Sequence, residues 1–233
     1  MQHNATVTQK RSVFGRERSE FDRGLSFFDA IYGFAITLLI ANLDMPPASA
    51  WRDLDALLSS GLAGQLTGFL ISFVVIAVFW SRNTSLLSEF GALDGAAIAA
   101  NLVTALLIVL MPFTTQGISD AETSELPLPT ALYAANVALA LASLLVTREI
   151  GHARGLIEPP VARPVRRAQR IDACAQILVF VLSIPVAFLV DADWGKATWL
   201  ALLVVSPVLG RRSARIAEAE AEAESSRAEK ASA

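Results

Sequence analysis

The chain has 233 residues, 54% hydrophobic and 18% charged, with a mean hydropathy of +0.50, whereas a soluble globular domain carries roughly 25% charged residues. Its 22 acidic and 19 basic residues leave a net charge of −3, which excludes a generally basic nucleic-acid binder. A single cysteine, Cys174, excludes an intramolecular disulfide framework, and two histidines, His3 and His152, leave little for a zinc site.

A helix needs about 20 apolar residues to cross the roughly 30 Å hydrocarbon core. In chain order, apolar runs cover about Phe27 to Leu43, Leu57 to Trp80, Ala96 to Met111, Leu128 to Val146, Ile171 to Val190 and, shortest, Ala197 to Leu209. The predicted fold is therefore an all-α membrane protein with six transmembrane helices per subunit. The first run follows a polar segment of 26 residues, contains Asp29 and lacks a small-residue cleavage site, so it reads as a retained helix. Pro46 and Pro47 are expected to end the first helix and Pro112 the third, while Pro127 and Pro129 open the fourth. Pro185 and Pro207 fall inside the fifth and sixth, where kinks are expected. Pro159, Pro160 and Pro164 among arginines read as a linker between the fourth and fifth. The segment from Ala214 to Ala233 repeats Ala, Glu, Ser and Arg, and its glutamates at 218, 220, 222 and 224 repel at i,i+4 spacing, so a frayed helix or disorder is expected.

Charge sorts strongly about these runs. With the N-terminus inside, 17 of the 19 basic residues fall on cytoplasmic segments, and only Arg52 and Lys196 on outer loops. The positive-inside rule then places both termini in the cytoplasm. The outer loops carry Asp44, Asp53, Asp55, Asp120, Glu122, Glu125, Asp191 and Asp193, an acidic face that concentrates cations weakly. The chain divides into a tail at 1–22, a transmembrane domain at 23–210 and a low-complexity tail at 211–233.

The first run differs from the others. Arg23 precedes Asp29 by six positions, and a hydroxyl, Thr37, lies deep inside. An ionisable group in a span costs from about 2.5 kcal/mol at the bilayer centre and usually faces a partner or water. Near the interface, Asp29 could instead cap the helix N-terminus. Taken together, Arg23, Phe27, Asp29, Ala30, Ala35, Ile36 and Thr37 resemble the first-helix signature R-x-x-x-F-S-D of the transmembrane protein 175 family of lysosomal and bacterial potassium channels. Asn101 and Met111 to Thr115 in the third run, Phe79 to Asn83 at the end of the second, and Tyr133 and Asn136 in the fourth extend the resemblance over about residues 23 to 140. Two positions depart from it: Phe28 replaces the serine of the motif, and Asn83 stands where a histidine usually follows Trp80.

The resemblance implies a homotetramer whose first helices line a central pore for potassium ions, without a T-V-G-Y-G filter and without a cofactor. Carried onto this chain, the constriction is Phe34, with Thr37 and then Ala41 beyond it. Arg23, Phe27, Phe28, Asp29, Trp80, Asn83 and Asn101 would form the network of the motif. At 100° per residue, positions 34, 38 and 41 lie within about 60° of one another and Thr37 about 60° from Phe34, so Leu38 joins that face. Such a stripe is also what ordinary helix packing produces, and Thr37 could simply bond back to its own helix. Asn101 and Asn136 read as inter-helix hydrogen-bond partners, and Trp51, Trp80, Trp194 and Trp199 mostly as interfacial anchors. Cys174 reads as a small buried residue and His152 as a solvated loop histidine. The expected location is a bacterial-type cell membrane, crossed several times. A proton-coupled or proton-permeable transporter, or a non-conducting scaffold of the same family, remain the competing readings. With no nucleophile–base pair and no metal cluster in the sequence, the chain is not expected to be an enzyme.

Overall fold

A computed structural model describes residues 13–15 and 19–232. His3, Lys10, Arg11, Arg16 and Arg18 of the basic N-terminal tail lie outside the described residues. Strand β1 (Val13–Gly15) leads into helix α1 (Ser19–Ala41). After a 3-10 turn at Ala48–Arg52 come the short α2 (Leu54–Leu57), a π turn at Leu58–Leu62 and α3 (Ala63–Ser88). Strand β2 (Ala92–Asp94) precedes α4 (Gly95–Ser119), α5 (Pro127–Arg154) and α6 (Arg163–Leu189). The chain closes with α7 (Ala192–Ala197), a 3-10 turn at Thr198–Ala201 and α8 (Leu202–Ser232).

The described residues are overwhelmingly helical, and five helical segments are long and apolar enough to cross a membrane. The sixth predicted run falls short of that. It enters through the 3-10 turn and meets Arg211 and Arg212 only nine residues into α8. The helices also outrun their apolar cores. Pro112 does not end the third helix, because α4 continues through it to Ser119. A proline frees the carbonyl four residues back, a loss that spans tolerate when hydroxyls and neighbouring helices supply other bonds. Thr114 and Thr115 both bond back to the Met111 carbonyl, at 3.1 and 2.7 Å. The expected linker between the fourth and fifth helices shrinks to residues 155–162, with Pro164 in the first turn of α6, where its missing amide costs nothing. Beyond Ala214 the chain stays helical to Ser232 instead of dissolving.

Helix α5 is the centre of the bundle. Its most apolar stretch is 61% buried, against 22% in α1, α3 and α6. It packs mainly on α4 and α6, and α1 leans on α3 and α4. Tyr133, Met111, Ile108, Ile76 and Phe90 fill the core. Polar groups are threaded through it because a bilayer offers no alternative partner. Ser72 Oγ stands 3.2 Å from Tyr133 Oη and 2.7 Å from Thr115 Oγ1. Thr104 donates to Ser143 at 2.9 Å, and Asn136 Nδ2 donates to the Leu107 carbonyl at 3.0 Å, the inter-helix role expected of it.

One end of the bundle is tied by short strands and ion pairs. β1 runs antiparallel to β2, with Phe14 opposite Leu93. The Gly91 amide donates to the Leu156 carbonyl at 2.8 Å, joining the α3–α4 and α5–α6 connections. Arg148 pairs with Glu89 at 3.4 Å, Arg154 with Asp94, and Arg166 and Arg170 both with Glu149. Asp94 also caps α4 by accepting the Ala96 and Ala97 amides at 3.1 and 3.0 Å. Burial alone would raise the Asp94 carboxyl, but those amides and the Arg154 guanidinium outweigh it and hold it below its ordinary value.

Candidate functional site

Helix α1 has two faces of different character. Phe21, Phe28, Tyr32, Ala35 and Leu39 recur at spacings of seven, four, three and four and are buried against the bundle. Phe34, Thr37, Leu38 and Ala41 are all exposed. At 100° per residue their mean direction lies about 140° from the buried stripe. All four sequence-selected positions thus share one open face of the subunit. Phe34 projects furthest, with 70% of its surface exposed, and Leu38 follows at 44%. The Thr37 hydroxyl donates to the Phe34 carbonyl at 2.8 Å, the local bond usual for a threonine in a helix. That bond spends its hydrogen and leaves oxygen lone pairs on the open face.

The motif residues separate into three groups. Asp29 and Trp80 meet: the indole Nε1 donates to Asp29 Oδ1 at 2.9 Å, linking α1 to α3. Asp29 is therefore no N-cap, since it lies ten residues into α1, and Trp80 serves the carboxylate. Phe28 is buried, so the bulk that replaces a serine fills the core beneath α1. Asn83 and Asn101 are also buried, yet Asn83 Oδ1 and both amide atoms of Asn101 have no hydrogen-bond partner among the described residues. Tyr32 Oη, on the buried face of α1, is likewise unpartnered. Arg23 is exposed in the first turns of α1.

Phe27 meets Phe28 of the expected network edge to face, with ring centroids 5.8 Å apart, yet its outer surface is open. It is 55% exposed and lies about 20° from Phe34 in projection, one heptad earlier. It belongs to the open face, about 10 Å along the axis from Phe34. The spacing of 27, 34, 38 and 41 in the sequence was the available signal.

Other expectations are corrected. Cys174 is exposed on α6. His152 lies within α5, half-buried, and its Nε2 has no partner among the described residues. Trp199 is no interfacial anchor, because it packs between Tyr133 and Phe180 with ring centroids 5.0 and 5.8 Å away. Arg82 and Asp172 are bridged by Gln176, which accepts from Arg82 at 2.5 Å and donates to Asp172 at 2.8 Å. Hydropathy alone gave no sign of that bridge. No group of three or more metal-ligating side chains occurs among the described residues.

Comparison with known proteins bears on this helix directly. The family model for the endosomal/lysosomal potassium channel TMEM175 matches residues 23–112, from the motif arginine to the proline inside α4. A potassium channel of Streptomyces collinus is 28% identical over 177 residues, covering 73% of this chain and 84% of that protein. The mouse endosomal/lysosomal proton channel TMEM175 is 27% identical over 105 residues, covering 45% of this chain and 21% of that one. In fold, the chain is similar to the crystal structure of a lysosomal potassium-selective channel TMEM175 homologue from Chamaesiphon minutus, with a TM-score of 0.66 and 19% identity over 84% of this chain and 99% of that one. The resemblance read from the first-helix motif thus holds in family model, relatives and fold, and the chain is a multi-pass membrane protein.

Proposed function

We propose, from the premise that this chain is a relative of the TMEM175 channels, that it is a cation channel selective for potassium. Four subunits would surround a central pore lined by α1, with both termini in the cytoplasm. The observation that carries this reading is the open face of α1, which presents Phe27, Phe34, Thr37, Leu38 and Ala41 opposite its packed stripe. A four-fold axis beside this stripe would turn it into a lining that carries an oxygen ligand, Thr37, among apolar side chains.

In that arrangement four Phe34 rings narrow the pore and expel water, so conduction requires their displacement or rotation. The Thr37 oxygens, one helical turn further on, replace part of a permeating ion's hydration shell. Phe27 forms a second apolar ring on the side of the motif. The Asp29–Trp80 bond fixes the rotation of α1 about its axis and so decides which residues face the pore.

Potassium efflux from liposomes containing the purified chain tests this reading. Flux above that of protein-free vesicles is expected, and none over a range of pH and voltage would leave the scaffold reading standing. The mouse relative's name favours one second reading, proton conduction. A pH-sensitive dye inside the same vesicles separates the two: acidification driven by a proton gradient without potassium flux would replace potassium by protons.

A further inference from the structure

Helices α6 and α8 enclose a cavity of about 500 Å³ at the arginine-rich end of the bundle. Arg163 and Arg167 line it from α6 and Arg212 from α8, over an apolar floor of Ile171 and Leu209, while Ile216 lines it about one turn of α8 beyond Arg212. The first two turns of α6 carry four arginines, and the structure divides them. Arg166 and Arg170 turn toward Glu149 and pair with it. Arg163 and Arg167, one turn apart on another face, enter no ion pair among the described residues, and neither does Arg212. The next acid along α8, Glu218, is six residues past Arg212, about 9 Å along the axis.

Three like charges thus converge on one groove without an ion-pair partner among the described residues. They sit where two helices leave their apolar stretches: Ile171 begins the apolar part of α6, and Leu209 ends that of α8. The groove is basic at Arg163, Arg167 and Arg212 and apolar toward Ile171 and Leu209, where the apolar stretch of α6 begins and that of α8 ends. We propose that it binds an anionic phospholipid, the phosphodiester held by Arg163, Arg167 and Arg212 and the acyl chains laid along Ile171 and Leu209. Guanidinium forks suit phosphate oxygens, and basic pockets between transmembrane helices on the arginine-rich side are suited to such headgroups. A cavity of this size accommodates the headgroup and glycerol backbone. A free anion would match the arginines and ignore the apolar floor, so the groove favours a lipid. Because α8 continues outward from the groove, the lipid would also fix the angle at which α8 leaves the membrane.

Native mass spectrometry of the full chain in detergent tests this, using phosphatidylglycerol and phosphatidylcholine of identical acyl chains. The wild type is expected to retain phosphatidylglycerol over phosphatidylcholine by about tenfold or more. The triple variant R163Q/R167Q/R212Q should retain both equally, while R211Q, an exposed neighbour outside the groove, keeps the wild-type preference. An unchanged preference in the triple variant, or an equal loss in R211Q, overturns the proposal. Displacement of the lipid by millimolar inorganic phosphate, with short-chain and long-chain lipids bound equally, would make it a free-anion site and overturn it too. Should the triple variant elute as aggregate, R167Q and R212Q are read singly, and a preference left intact in both counts against the site.

Discussion

Asp29 shows how one contact can settle the meaning of a residue. A carboxylate ten residues into an apolar helix needs a partner, and the Trp80 indole provides it across the α1–α3 contact. Replacing Trp80 by Phe keeps the ring and removes the donor, leaving Asp29 unpaired. Because Asp29 is exposed within the subunit, a cost of about 0.5–1.5 kcal/mol follows, with a small fall in melting temperature in detergent. Asp29→Asn keeps an acceptor and loses the charge; it is expected to impair assembly or gating, and normal tetramers with normal currents would refute the role given to it. Phe34→Ala is expected to raise potassium flux severalfold if four rings form the constriction, and an unchanged rate would remove Phe34 from that place. The contact between Asp29 and Trp80 was legible as a shared motif, although its geometry was not. Phe27 touches Phe28 as a motif neighbour, but its place on the face of Phe34 follows from helical angle, which the motif does not encode. His152 and Cys174 were misread because a count of residue types says nothing about which helix face they occupy.

At the scale of elements, hydropathy located the first five spans, since about 20 apolar residues leave few alternatives to a crossing helix. It did not reveal the ends. α4 and α5 extend past their apolar cores into polar segments stabilised by capping, ion pairs and contacts with neighbouring helices. The β1–β2 pair has three residues per strand, too short for any alternation to register. The π turn before α3 depends on Gly61 at φ +86, a conformation that suits glycine alone. α3 packs tightly on α4 at Gly68, where an added Cβ would stand 2.4 Å from Ser119 Cβ. Gly68→Ala should therefore push the two helices apart and cost about 1–3 kcal/mol, read as a lower melting temperature. Asp94 ties β2, α4 and α5 together and gives this region a pH dependence. Its carboxyl is held below the ordinary value, so its contribution to stability is present above the unfolded-state value of about 3.9 and is lost as pH falls through the lower folded-state value. Asp94→Asn should lower the melting temperature at neutral pH and flatten its fall in acid; parallel curves for the two proteins would remove Asp94 from that role.

For the whole molecule, the charge count given by composition resolves into an arginine-rich end held by ion pairs and an apolar bundle whose outer helices, α1 among them, each leave an apolar face open. The sequence could not weigh the α1 face against ordinary packing, because both use the same spacing. Within the subunit the stripe through Phe34 is left uncovered while its opposite is packed, which leaves it free for lipid or for another subunit. A tetramer predicts a detergent-corrected mass four times the 24.9 kDa subunit. The proposal that α1 lines a conducting pore is tested most directly by cysteine accessibility in a Cys174→Ser background. Ala41 and Ile40 are both exposed neighbours, but Ala41 lies about 20° from Phe34 in projection and Ile40 about 120°. Potassium flux through the Ala41→Cys protein should be blocked by a water-soluble thiol reagent, while the Ile40→Cys protein conducts unchanged. Block at Ile40→Cys with none at Ala41→Cys would contradict the pore assignment.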